Sequence, residues 1–477
     1  MAKKKLYIDI TSFCSANFLS GIQRVVREVV VRLLKMEEFE AILFTWPNTE
    51  DELSVLSNDD FLKCFDEGIL KKSKIRILKT LFLSNLEEGD LFFDIDSVWN
   101  DSCHKRIDVL SKLSEQGVRV VSYVYDIFPI THPEFFGGSD PKFYEYVAAS
   151  LCYADCLIAS TQVTVDKLMN LANRYGVPTP CCSVSWLGSD FKSKRKAESV
   201  SKKAQNIASK GKYILCVGTL EPRKNHKLVL DAYDRKLSKI GLNLVFAGRR
   251  GWCVDDLLSR VDNHPKKDKG FYFLEGENDA TIDYLYQNAW AVVFPTFDEG
   301  FGLPLVEALL HGCPCVASDV PVMREVGGSF CDYVNPESSE SLEETLLGYF
   351  ETPEKYENLK RRANEFKPFL WDDVAERIKD DLLNLRKNDK QKGGAAQIDA
   401  NQVMDGIYED VVKEMYGLSK YSNIPLIEFE KYIPKKGLKN RIKRVVQKCL
   451  RFYISPIVHD INDRIALQNA ILKMQRK

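Results

Sequence analysis

The sequence predicts an α/β protein, with two doubly wound parallel-sheet domains facing a cleft and a C-terminal helical extension. Three observations carry this expectation. At 477 residues the chain exceeds the size at which a single core usually stops growing. Apolar strand-like runs alternate with helical patterns, and the alternation restarts at about residue 213 after a polar stretch. A Lys/Gly/Ala/Gln-rich break at 387–397 then separates a tail of helical pattern.

In the first half, 6–10, 41–44, 91–95, 118–125 and 156–159 read as strands, and 22–35, 107–116, 143–153 and 164–175 as helices. The polar stretch 191–210 reads as an interdomain linker with its flanks. In the second half, 213–217, 242–246, 270–274, 291–294 and 315–317 read as strands. Helical patterns cover 227–235 and 304–311, and another begins at 281–287. The expected divisions are 1–200, 201–388 with a return helix, and a tail at 398–477.

Composition narrows the partners. An apolar content of 45% and a charged content of 28% are those of an ordinary soluble globular chain. A formal charge of −1 gives no global electrostatic case for nucleic acid. The basic N-terminal residues lead into an apolar strand without the long apolar core of a signal peptide. No uninterrupted apolar run of about 18 residues predicts a transmembrane helix. The thirteen cysteines are scattered and form no pair of Cys-x-x-Cys units, which fits reduced thiols in a cytoplasmic protein and no zinc site. Within the tail, 435–451 carries eight Lys/Arg and no acid, with apolar residues at helical spacing. Such a segment rests on an anionic membrane surface, or packs on its own chain or a partner protein.

The densest chemical signal is the run Glu-Gly-Phe-Gly-Leu-Pro-Leu-Val-Glu at 299–307, directly after an apolar strand. Gly300 and Gly302 can turn the backbone, and Pro304 suits the first turn of a helix. A strand, a glycine turn and a helix N-terminus make an anion site of free N–H groups. Glutamates beside it fit hydroxyl recognition next to phosphate, the combination found in a nucleotide sugar. Upstream, Val-Gly-Thr-Leu-Glu-Pro-Arg-Lys-Asn at 217–225 also lies between a strand and a helix. Arg223 can chelate phosphate oxygens and Lys224 adds a compact charge, although adjacent residues on a regular element would diverge.

These two motifs, in this order and about seventy-five residues apart, resemble those of the retaining family-4 glycosyltransferases of GT-B fold. The runs 244–248, 273–276 and 317–326 resemble that family's intervening strands and loops, and the likeness extends over roughly 5–385. It implies two Rossmann-like domains, with 1–200 on the acceptor side and 201–388 binding the nucleotide sugar. It also implies that Glu299 contacts the transferred sugar and Glu307 the ribose hydroxyls, with N–H groups around Gly300, Phe301 and Gly302 on sugar or phosphate oxygens. Lys224 and Arg223 would stabilise the leaving diphosphate, beside Gly218 and Thr219. Many relatives carry an Arg where Thr219 stands, which leaves Arg223 to supply the second cation.

In the first domain, Ser-Gly-Ile-Gln-Arg at 20–24 resembles the family's glycine loop, where Gly21 admits a diphosphate close to the backbone. Asp126 follows an apolar strand and is expected to bind or polarise a sugar hydroxyl. Relatives often show His-Asp at that place, and Tyr125 stands where the His would be. His132, beside a proline, reads as a structural loop residue or as a further approach to the site; Ser160 and Thr161 sit at another cleft edge.

The resemblance implies retaining transfer of a hexose, mannose first, from a nucleotide diphosphate sugar such as GDP-mannose, with no cofactor. The chain is read as showing no Asp-x-Asp between strands that would hold Mg²⁺, so metal independence is expected. The motifs resemble bacterial mannosyl- or rhamnosyl-transferases of surface polysaccharide assembly, so a glycan acceptor, lipid-linked as in O-antigen, is expected. That places the protein in the cytoplasm or peripherally at the inner membrane face. A nucleotide-sugar epimerase or hydrolase, and a non-catalytic sugar-binding subunit of a glycan assembly complex, are the alternatives.

Overall fold

The computed structural model describes residues 3–16, 20–47, 51–66, 75–100, 105–136, 140–178, 180–189, 199–385 and 399–415. The basic segment 435–451 and the break at 387–397 lie outside the described residues. Met1–Asp405 form one compact unit. Gly406–Lys477 form a second, of which 406–415 are described, within the helix Ala400–Met415.

The first unit contains two sheets. Strands β1 (Lys4–Asp9), β2 (Phe39–Thr45), β3 (Glu52–Leu56), β4 (Ile77–Phe82), β5 (Leu91–Asp94), β6 (Arg119–Val124), β7 (Cys156–Ala159) and β8 (Cys181–Val184) form the first, in the order β4-β3-β2-β1-β5-β6-β7-β8. Strands β9 (Tyr213–Val217), β10 (Asn243–Gly248), β11 (Phe271–Glu275), β12 (Ala291–Phe294), β13 (Cys315–Ser318) and β14 (Cys331–Val334) form the second, in the order β11-β10-β9-β12-β13-β14.

All pairings of the second sheet are parallel, as are those from β2 to β8 through β1 in the first. The strand order reverses between β1 and β5 and again between β9 and β12, so the loops leaving those strands open a crevice at each carboxyl edge. Parallel strands covered on both faces are apolar throughout. In β9, Ile214 and Cys216 enter one core while Tyr213 and Leu215 enter the core on the opposite face.

Two features depart from the sequence-based expectation. The edge pair β3–β4 is antiparallel, where only a parallel sheet is expected; these short strands alternate too little to be read from periodicity. The polar stretch read as a linker contains the helix Lys202–Ser209. Ser201 caps it by accepting from Ala204 N–H at 3.2 Å, and Ala204 and Ile207, one turn apart, are buried in a core of the second sheet. Two small contributions to a helix face are too weak a signal among lysines and serines. Within 201–388, where a return helix is expected, the helix Trp371–Leu383 sends Trp371, Val374, Ile378 and Leu382 into the core of the first sheet, and Arg32 Nε meets Asp372 Oδ1 at 2.6 Å. The chain thus crosses back to its first half after completing the second. Among the described residues no helix is long and apolar enough to cross a membrane.

Candidate functional site

The second sheet's reversal point brings together the two loops that the sequence singles out. After β9 the chain makes a 3-10 turn at Pro222–Lys224 and reaches Asn225 at φ 52°. Asparagine is among the few side chains that tolerate this left-handed region. Its Nδ2 donates to Pro295 O at 3.1 Å and Pro336 O at 2.8 Å, tying the β9 loop to the loops after β12 and β14. The turn also defeats the expectation that Arg223 and Lys224 diverge. Arg223 Nη1 lies 2.9 Å from Glu299 Oε1, and Lys224 Nζ pairs with that same oxygen. In a 3-10 turn followed by a left-handed residue, adjacent side chains need not splay as on a straight element.

Glu299 is 6% exposed. Burial alone would raise its carboxyl pKa, but Arg223 and Lys224 overcome this and hold it below the usual range. Glu221 accepts from Arg223 Nη2 at 2.7 Å, and burial raises its pKa. The guanidinium also lies 4.4 Å from the Phe128 ring centroid, giving a cation–π contact with the first half. Thr296 Oγ1 donates to Asp298 O at 2.8 Å, which shapes the bend before Glu299. At the end of β9, Gly218 N–H donates to Ala247 O at 2.9 Å, and Thr219 is half-buried beside it.

The glycine turn then feeds the helix Leu303–Leu310. Gly302 caps it at φ 95°, and a Cβ there would meet Met323 Cε at 2.8 Å. The N–H groups of Gly300, Phe301 and Gly302 have no hydrogen-bond partner among the described residues, as an anion cradle requires. The Phe301 side chain is turned away into the core of the first sheet and packs edge-on against Trp186 at 6.3 Å. Glu307 lies on the helix in a separate environment. Arg24 Nη1 donates to its Oε1 at 2.6 Å and Tyr286 OH to its Oε2 at 3.2 Å, while burial leaves its pKa raised.

The first half closes over this arrangement. Gly21 begins the helix Gly21–Leu33, whose Ser20 cap accepts from Gln23 N–H at 3.4 Å. A Cβ on Gly21 would lie 3.7 Å from Leu303 Cδ1, so this glycine faces the opposing helix. Asp126 follows β6; burial pushes its pKa up to about 6, against the pull of Arg223. Tyr125 does not offer a substitute for a histidine, because its hydroxyl donates to Ile95 O at 2.7 Å in the buried interior. Ser160 Oγ and Thr161 Oγ1 donate to Gly300 O at 2.8 and 3.2 Å. Glu325 accepts the first N–H groups of the helix Gln162–Arg174, from Gln162 at 2.7 Å and Val163 at 3.0 Å.

Sequence reasoning missed several residues at this closure. Arg24 lay in the glycine loop without a role, Glu325 in the 317–326 run, and Asp298 and Lys167 drew no notice. The acid pair Asp298-Glu299 was the only local signal for Asp298; the others become visible only through tertiary contact.

The first sheet's reversal point also corrects an expectation. No Asp-x-Asp between strands is expected, yet Asp94-Ile95-Asp96, at the end of β5, is one. Burial pushes both carboxyl pKa values up to about 7, and Arg106 bridges Asp9 and Asp94, the latter at 3.2 Å. Among the described residues no group of three or more His, Cys, Asp or Glu side chains has the arrangement of a metal site.

Residues 198–366 match the family described as Glycosyl transferases group 1. Among relatives, the chain is 28% identical to the serotype-specific mannosyltransferase WbdA of Escherichia coli over 391 residues, 78% of this chain and 44% of that protein. It is 27% identical to the O-antigen chain mannosyltransferase B of Escherichia coli over 75% of this chain and 94% of that one. A crystal structure of Anabaena Alr3699/HepE in complex with UDP-glucose superposes with a TM-score of 0.54 at 16% identity, over 80% of this chain and all of that one. The chain resembles GT-B glycosyltransferases. Its two α/β halves have their fold, and the matched segment holds the whole Arg223–Lys224–Glu299 cluster. The chain spans less than half the length of the WbdA proteins it matches.

Proposed function

We propose that the protein transfers a hexose, mannose first, from a nucleotide diphosphate sugar to a hydroxyl of a carbohydrate acceptor, with retention and without a metal ion. One observation carries the reading: two cations and a buried carboxylate converge where unpaired N–H groups start a helix, at a strand-order reversal. Those groups complement a diphosphate beside sugar hydroxyls. GDP-mannose is the donor of choice because the relatives' names are mannosyltransferases. A lipid-linked polysaccharide such as O-antigen is the corresponding acceptor.

In this reading residues 1–200 offer the acceptor side and 201–388 the donor side. The donor's diphosphate lies against Arg223, Lys224 and the N–H groups of 300–302, with Gly218, Thr219 and Gly21 bordering it. Glu299 accepts from hydroxyls of the transferred sugar and Glu307 from those of the ribose. The acceptor oxygen bonds to the anomeric carbon on the face from which the phosphate oxygen departs. The anomeric C–O bond breaks, and the departing phosphate oxygen takes the acceptor's proton. Lys224 and Arg223 stabilise the charge gathering on the diphosphate, so two side-chain cations do the work a metal would otherwise do. Asp126 orients a sugar hydroxyl, and closure of the halves excludes water. Attachment through 435–477 to the inner membrane face, or to a partner protein, would bring the site to a lipid-linked acceptor.

Purified protein with GDP-mannose, a lipid-linked acceptor and EDTA tests this directly. Mass spectrometry should show an acceptor gaining one hexose, and NMR of the new linkage the anomeric configuration of the donor. Loss of transfer in chelator would remove the metal-independent claim. Full turnover in Glu299→Ala would remove the site assignment.

A further inference from the structure

Asp298, 7% exposed in the loop after β12, joins the two halves in a way that the reaction scheme does not use. Its Oδ2 receives two groups from the first half: His132 Nε2 at 3.1 Å and Lys167 Nζ. Its Oδ1 accepts the backbone N–H of Glu299 at 2.9 Å, and its carbonyl accepts Arg223 Nη1 at 2.7 Å. A single residue therefore takes two cationic contacts from across the cleft and fixes both the peptide of Glu299 and the fork of Arg223.

Aromatic packing follows the same seam. His132 stacks on Phe135 with centroids 5.5 Å apart, and Phe135 stacks on Phe297, adjacent to Asp298, also at 5.5 Å. Trp252 Nε1, from the second half, donates to Phe135 O at 3.0 Å, and its ring packs against Phe136.

Building on the assignment of Glu299 and Arg223 proposed above, we propose that His132 and Lys167 are positioning residues that clamp Asp298 as the halves close and thereby set Glu299 and Arg223 for reaction. Neither residue touches the reacting atoms; they act through Asp298. Two cations on one nearly buried carboxylate hold the loop more firmly than either alone, and a misplacement of about 1 Å in such a loop costs a large factor in rate.

One of the two cations is a histidine, the side chain whose charge responds most readily to pH. The groups around His132 are Asp298, Glu134 at 3.4 Å from Nδ1, Lys167 on the shared carboxylate, and the Phe128 and Phe135 rings, with Arg223 over the far ring. The hydrogen bond to Asp298 raises the His132 pKa, and the Asp298 carboxyl is lowered overall because His132 and Lys167 outweigh its burial. The His132 contact is thus charged from above the lowered Asp298 pKa and is lost as pH rises through the raised His132 pKa.

The experiment uses the full chain and two readouts. With GDP-mannose as donor, Lys167→Met should lower kcat by about 10- to 100-fold with KM changed far less, and Lys167→Arg should restore most of it. His132→Gln should flatten the fall in kcat at alkaline pH. Without substrate, Trp252 emission reports the seam, with Trp252→Phe identifying its share of the signal. In Lys167→Met that emission should titrate with pH, and in the His132→Gln, Lys167→Met double variant it should not. Unchanged kcat in Lys167→Met, no rescue by arginine, or a Trp252 signal indifferent to both substitutions and pH would overturn the clamp. Should the parent turn over no nucleotide sugar while the Trp252 titration follows His132, the functional reading falls and the cross-cleft clamp stands.

Discussion

Arg24 Nη1 donates to Glu307 Oε1 at 2.6 Å, joining residues 283 positions apart from opposite sides of the cleft. The carboxylate is mostly buried, so it needs this partner to remain charged, and its pKa is raised even so. A ribose bound to Glu307 would take over acceptor capacity that Tyr286 and Arg24 now occupy. Glu307→Gln is therefore expected to raise the donor KM by about tenfold with a smaller change in kcat, since ribose binding is shared by ground and transition states. Arg24→Ala strands the carboxylate and should cost about 1–3 kcal/mol of stability, read by denaturant unfolding.

Lys224 and Arg223 meet on Glu299, and their roles differ by geometry. The Arg223 fork is also held by Glu221 and the Asp298 carbonyl, whereas the Lys224 ammonium forms an ion pair, among the described residues, with Glu299 alone. The ammonium is thus the cation freer to turn toward a leaving diphosphate. Lys224→Met should lower kcat by about 10²–10³, as for loss of one donor aimed at developing charge. Initial rates at saturating donor check this, and thermal unfolding separates it from a loss of folded protein.

Asp126 supplies a pH dependence with a definite sign. Burial moves its pKa from 3.8 to about 6. Between those values the folded protein keeps a proton that the unfolded chain releases, so this group makes stability fall as pH rises across the window. In the proposed reaction activity runs the opposite way, because the ionised carboxylate is the form that would accept from a sugar hydroxyl. kcat/KM should fall as pH drops below about 6, and Asp126→Asn should be slow and lack that acid limb. A pH–rate profile of both proteins, with unfolding curves at the same pH values, measures each part.

How much of this was legible in the chain depends on the range of the interaction. The strand–turn–helix logic at 213–225 and 291–310 is local, so apolar runs, glycines and a proline spelled it out, and the reversal at β9/β12 placed Arg223, Lys224 and Glu299 together. The convergence of two adjacent cations was not legible, because it depends on a 3-10 turn ending in a left-handed asparagine. Arg24, Lys167, Asp298 and Glu325 were invisible for a different reason. Each looks like an ordinary surface charge on its own element and acquires a partner only when the halves meet. The antiparallel β3–β4 edge left no clear period, and the two buried residues of the helix Lys202–Ser209 were outvoted by its polar neighbours.

Asn225 carries part of that hidden geometry. Its side chain satisfies two carbonyls in different loops while its backbone sits at φ 52°. Asn225→Ala loses both bonds and keeps a Cβ in a strained conformation, which should cost about 1–3 kcal/mol. Asn225→Gly relieves the strain alone, so it should be the more stable of the two variants. Denaturant midpoints of the pair separate backbone strain from the lost amide.

Gly300 tests whether the reaction needs the halves closed. A Cβ at this position would lie 2.5 Å from Tyr125 O, a backbone atom of the first half that cannot swing aside. Ser160 and Thr161 donate to the Gly300 carbonyl, so the same residue is both the closest approach and a docking point. The groups proposed for the nucleotide lie almost wholly in the second half, apart from Gly21. Gly300→Ala should therefore leave nucleotide binding, measured calorimetrically, within a few-fold of the parent while transfer falls by about 10²-fold or more. Equal losses of binding and turnover would mean that the added methyl disturbs the nucleotide cradle itself rather than closure.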